Sequence, residues 1–216
     1  MSSNYTSFIC FLFDRDDSAS DWRFEIDSDE PDLEPREAVN FIARLLRSYK
    51  TDLGDFTDRQ LGLGVDYIFN MACSSLSNHL LDELVPTKER MSGILALKDF
   101  FEECLNERCV GSLGHLSESG NELNYFCYMI WDTTPLACGD SSSKWMHTNT
   151  AIAEVMEFAL YLDNIACVES GLHGLGHMKD VYGEAPKIVQ KYIETVRAPD
   201  PRLLKYAEHA KIGYVL

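Results

Sequence analysis

The residues best suited to chemistry stand close together. Glu169-Ser170-Gly171-Leu172-His173-Gly174-Leu175-Gly176-His177 holds two of the chain's six histidines and three of its thirteen glycines. On a helix, Glu169, His173 and His177 fall at i, i+4 and i+8, stacked on one face. Two imidazoles and a carboxylate in such a column can hold a divalent metal and leave a position open for water. That is the basis of one expected function, a metal-dependent hydrolase using Glu169, His173 and His177, to which Asp180 and Glu184 could add ligands. Two features weigh against it. The glutamate that zinc peptidases place directly after the first histidine is missing, since Gly174 follows His173. Two glycines between the ligands also make a loose support for a site that needs sub-ångström precision. The same glycines suit a helix kept slim so that a neighbour packs closely. Packing, with no bound metal and no cofactor, is the preferred expectation.

No other group of residues is selected by spacing. A nucleophilic enzyme needs Ser or Cys beside a histidine and an orienting acid. Gly-x-Ser-x-Gly is absent, and Gly111-Ser112-Leu113-Gly114 misses it by one residue. Glu102-Glu103 reads as a solvent-facing pair on a helix. Tyr125, Phe126, Tyr128, Trp131 and Asp132 combine aromatics with an acid, as binding anchors do. The expectation there is a buried helix closed by a capping aspartate. The chain is therefore read as not an enzyme.

Charge points to a class of partner. With 35 acids against 19 bases the formal charge is −16, which repels phosphate backbones and argues against nucleic acid. The same field draws in a basic protein surface and speeds its arrival. The densest acidic run lies between Asp14 and Glu37. The residues expected to bind a partner are Asp14, Asp16, Asp17, Asp21, Trp22, Glu25, Asp27, Asp29 and Glu30, with Trp22 and Phe24 as apolar anchors in a charged rim. No apolar run approaches the roughly 18–20 residues that span a bilayer, so no membrane contact is expected. Seven cysteines without a CxxC pair, and no visible export signal, read as reduced thiols of a cytoplasmic protein.

The elements that must position these residues read as helices. Apolar content of 45% and aromatic content of 11% call for a real core in a chain of this length. Residues 8–13 fit a short strand or a buried helix, and 22–26 alternate as a short edge strand would. Pro35 opens a helix through Ala38, Ile42, Leu45 and Leu46. Thr57 and Gln60 form a capping box for the next, in which Gly62 and Gly64 imply close approach by a neighbouring backbone. Further helices are expected at 76–84, at 87–109 behind a Thr87 cap, and at 122–131, the last buried nearly all round. A long helical pattern from 148 runs on into the glycine–histidine stretch. Ala185-Pro186 and Asp200-Pro201 open two more, the last ending near Gly213. The fold class is all-α, seven or eight helices in stacked antiparallel hairpins, repeat-like at most. One domain over 1–216 is expected, with possible sub-halves 1–131 and 148–216 hinged at the 132–147 loop.

The pieces Asn124-Tyr125-Phe126-Cys127-Tyr128-Met129-Ile130-Trp131-Asp132 and Glu169 to His177 resemble those of uncharacterised bacterial helical proteins of the toxin-immunity type. The similarity covers about the C-terminal two-thirds and carries no functional residue with it. It implies a non-enzymatic protein that neutralises a cognate toxin domain.

Overall fold

The computed structural model describes residues 4–16, 21–24 and 31–215. Among them every regular element is a helix. The α-helices are α1 (Tyr5–Phe13), α2 (Pro35–Arg47), α3 (Tyr49–Asp52), α4 (Asp58–Phe69), α5 (Thr87–Leu95), α6 (Leu97–Phe100), α7 (Asn106–Arg108), α8 (Glu122–Thr133), α9 (Met146–Ala159), α10 (Ile165–His177), α11 (Ala185–Thr195) and α12 (Pro201–Lys211).

Local signals set many of the boundaries. Thr57 Oγ1 accepts from the Gln60 amide while the Gln60 side chain accepts from the Thr57 amide, closing the capping box that starts α4. Asn164 caps α10 by accepting from the Ala166 amide, and Asp200 caps α12 by accepting from the Arg202 amide. Beyond α12, Gly213 takes φ +77°, a left-handed conformation that glycine adopts freely.

Contacts between helices show how they are arranged. Partners on α8 and α10 advance together. Cys127 Sγ lies 3.5 Å from the Ala166 carbonyl, Trp131 Nε1 donates to Ser170 Oγ at 3.1 Å, and Asp132 meets His173. The two helices therefore run parallel. The same holds for α4 beside α8, from Asp58–Asn121 to Met71–Thr133, and for α10 beside α12, from His173–Tyr206 to Gly176–Ala210. Thus α4, α8, α10 and α12 form one layer of like-directed helices. Ion pairs Arg36–Glu89, Lys98–Glu154 and Lys191–Glu157 link α2, α5–α6, α9 and α11 behind it. The chain alternates between the layers. Along α10, Gly171 faces Ala159 and Leu160 while Gly174 faces Met156, which makes α9 and α10 an antiparallel hairpin. An apolar core containing Phe8, Ile42, Phe69, Phe100, Phe126, Leu172 and Ala207 runs the length of the stack.

Close approach explains the glycines of the inner layer. A Cβ on Gly62 would lie 2.6 Å from the Glu122 carbonyl carbon, and one on Gly171 would lie 2.6 Å from the Met156 carbonyl oxygen. The backbone approach expected at Gly62 is thus present, and the glycines of α10 do line a tight helix contact.

Several expected elements differ. Residues 8–13 are helical, and Trp22–Phe24 is a 3-10 turn rather than an edge strand. Residues 76–80 are likewise a 3-10 turn. The 87–109 segment is broken into α5, α6, a π-helical turn at Phe101–Leu105 and α7. Thr87 is the first residue of α5, behind Pro86. The pattern from 148 does not continue into the glycine–histidine stretch, because Asn164 starts a new helix there. On α8, Tyr125 is 52% exposed, so that helix keeps a wet face.

Candidate functional site

Parallel packing brings the carboxyl ends of α8 and α10 together, and the histidines stand there. His173 and His177 project one turn apart from the last turns of α10, and Asp132 projects from the last turn of α8. Asp132 Oδ2 lies 2.8 Å from His173 Nε2, and Oδ1 lies 2.9 Å from His177 Nε2. The two imidazole Nε2 atoms are 3.0 Å apart. His173 is buried, while Asp132 and His177 stand at an exposed rim.

A second set of contacts fixes the buried ring. Tyr206 of α12 meets His173 Nδ1 at 2.6 Å, and the Tyr128 ring lies 4.6 Å from the imidazole. Burial pushes the Tyr206 hydroxyl far above its ordinary pKa, helped by Tyr128 and the carboxylates nearby, so it stays protonated. For Asp132, burial works to raise the pKa. The hydrogen bonds and charge of the two histidines outweigh it and hold the carboxyl well below the usual carboxylate range. Both Nε2 atoms are within hydrogen-bond distance of Asp132, and the Tyr206 hydroxyl is within hydrogen-bond distance of His173 Nδ1.

Glu169 takes no part in this group, which corrects the expected ligand set. Its carboxylate turns to the loop before α8, accepting from the amides of Gly114 at 2.7 Å and His115 at 3.0 Å and pairing with His115 Nδ1. The His115 ring stacks on Tyr206 at 4.2 Å. The column therefore divides. Its lower acid satisfies part-buried backbone donors, and its two histidines find their carboxylate on another helix. Asp180 pairs with Lys179 and Glu184 with Lys187, so neither joins the cluster. Asp132, expected as a cap, lies inside α8 and closes the histidine group instead.

Nearer the amino-terminal halves of α8 and α10, a cleft of about 290 Å³ opens, walled in part by Asn121, Asn124, Tyr125, Tyr128, Glu118 and Glu169. Among the described residues, no lysine or arginine lines it.

The acidic segment is placed in part. Asp14 and Asp16 are exposed just beyond α1. Asp21 pairs with Arg23, whose hydrogen bonds hold its carboxyl below the usual range, and Arg23 also reaches the buried Asp66. Trp22 is not an exposed anchor. It is 5% exposed, packed against Phe11 and Tyr67 with the Arg15 guanidinium 4.5 Å from its ring. Its apolar area is spent on the core, whereas Phe24 beside it is 60% exposed. Asp17, Glu25, Asp27, Asp29 and Glu30 lie outside the described residues.

No protein-family model, no curated protein and no solved structure matches the chain.

Proposed function

We propose that this chain is a non-enzymatic binding protein whose acidic helical surface grips a basic partner, as an immunity protein grips its cognate toxin domain. The observation that supports this is where the positive charge goes. Most of the arginines and lysines close ion pairs within the fold, among them Arg36–Glu89, Lys50–Glu107, Arg108–Asp58 and Arg202–Glu118. Cations committed this way leave few to offset the formal surplus of −16 at a partner-facing surface. A stack of like-directed helices also offers the extended surface that helical arrays use for binding. Asp14 and Asp16, with the exposed ring of Phe24 nearby in sequence, are the described part of the surface assigned to contact.

The test has two steps. A tagged chain captures its partner from host lysate at low salt, and association of the purified pair is then followed against ionic strength. Steering predicts a fast on-rate that falls as salt rises, slowed in an Asp14→Asn/Asp16→Asn variant. Co-production of the chain should also relieve any toxicity of the partner. An on-rate indifferent to both salt and these substitutions would sink the reading.

A further inference from the structure

We infer that Asp132, His173 and His177 form a binding site for a borderline divalent cation of the first transition row, with Zn²⁺ as the test case. This does not depend on the partner-binding reading.

The donor chemistry comes first. Two imidazole nitrogens stand 3.0 Å apart, and the carboxylate of Asp132, from another helix, faces both, Oδ2 2.8 Å from His173 Nε2 and Oδ1 2.9 Å from His177 Nε2. Neutral imidazole and carboxylate are ligands that zinc and its neighbours accept together. A cation takes the lone pair of each Nε2 and one of the carboxylate; each ring then carries its proton on Nδ1, which His173 donates to Tyr206 Oη, and any further ring proton is released to solvent.

The surroundings independently favour positive charge. Because α8 and α10 run parallel and end side by side, the partial negative charges of two helix carboxyl ends meet at the cluster. His173 also has the outer partner that metal-bound histidines usually have. Tyr206 Oη, 2.6 Å from Nδ1, holds the ring so that Nε2 faces the site.

Rigidity answers the objection that two glycines separate the histidines. Gly174 is wedged against Met156 and Trp131, where a Cβ would lie 2.5 Å and 2.8 Å from their side chains. Gly176 is held against Val215 and Ala210. The glycines lock α10 between its neighbours, so the two imidazoles stand on a fixed support. With His173 buried and Asp132 and His177 at the rim, three protein ligands leave a fourth position open to water, as sites that activate water do.

The full chain, stripped with chelator, is titrated with Zn²⁺ by calorimetry, and bound metal is counted after gel filtration. One Zn²⁺ per chain is expected. His177→Ala and the shape-conserving Asp132→Asn should each weaken binding about a hundredfold or more. Tyr206→Phe, which loses only the outer partner, should weaken it about 10- to 100-fold. Glu169→Gln should keep the wild-type affinity, because Glu169 faces away from the site. Circular dichroism checks that each variant is folded, and Co²⁺ in place of zinc reports the ligand field by its visible bands. His177 is exposed and Asp132→Asn preserves volume, so a folded variant is available either way. No stoichiometric Zn²⁺ on the wild-type chain would overturn the inference. So would Zn²⁺ held equally by the His177→Ala and Asp132→Asn variants, or loss of Zn²⁺ in Glu169→Gln alone.

Discussion

Trp22 shows how one side chain can change role with its surroundings. Set among acids, an indole suits an interface, but here its ring lies 4.9 Å from Tyr67 and 5.8 Å from Phe11, and Arg15 covers its face. A buried indole carries a large share of local packing. Trp22→Ala is therefore expected to lower unfolding free energy by about 3 kcal/mol, read by urea denaturation. A partner anchor would instead leave stability nearly unchanged and lower affinity. Asp132 and Glu169 exchange roles in a comparable way. Glu169, expected beside the histidines, instead gives its oxygens to Gly114 and His115, and Asp132 supplies the carboxylate to both histidines. His115, in the loop before α8, is selected by no spacing signal in the sequence.

At the level of elements, α10 is the narrow member on which the inner layer closes. Alanine in a helix interior is worth about 1 kcal/mol over glycine, so replacing an unconstrained glycine should be neutral or stabilising. Gly171 is constrained. Its added Cβ would meet the Met156 carbonyl oxygen at 2.6 Å, and backbone cannot swing aside as a side-chain end can. Gly171→Ala is expected to cost about 2 kcal/mol despite its propensity gain, from overpacking. Gly183 has nothing within 4 Å of the equivalent position, and Gly183→Ala should shift the midpoint by little in either direction. Thermal melts of the two variants side by side test this. Equal effects would mean that α9 and α10 do not close on Gly171.

For the whole molecule, burial of thiols and phenols sets a limit on alkaline stability. Cys104 is buried and its pKa is pushed up to about 12 by desolvation, with Cys73 pushed up to about 11 for the same reason. The native state binds these protons more tightly than the unfolded chain, whose thiols titrate near 9.0. Their contribution is therefore full below pH 9 and is lost as pH rises toward the folded values. At about pH 10.5 the Cys104 share of that loss is about 2 kcal/mol, at 1.36 kcal/mol per pKa unit. Urea unfolding at pH 8 and pH 10.5 should show the fall, and Cys104→Ala should flatten it whatever its cost at pH 8. The native phenols of Tyr5 and Tyr206, shifted the same way mainly by burial, steepen the decline further.

Sequence by itself determined the class and much of the local frame. Proline at first turns, the Thr57–Gln60 box, the Asp200 cap and apolar residues at helical spacing act within one or two turns, so an all-α chain of helical hairpins was legible from them. The close packing of Gly62 was legible too, because a helix tolerates glycine there only for want of space. Tertiary structure decided what depends on registry between distant segments. Whether a pattern breaks, as at Asn164 or at the Phe101–Leu105 π turn, depends on what the next helix packs against. Which acid completes the histidine pair depends on α8 and α10 running parallel and ending together. Residues 132 and 173 lie far apart along the chain, and only helix packing puts their side chains 2.8 Å apart.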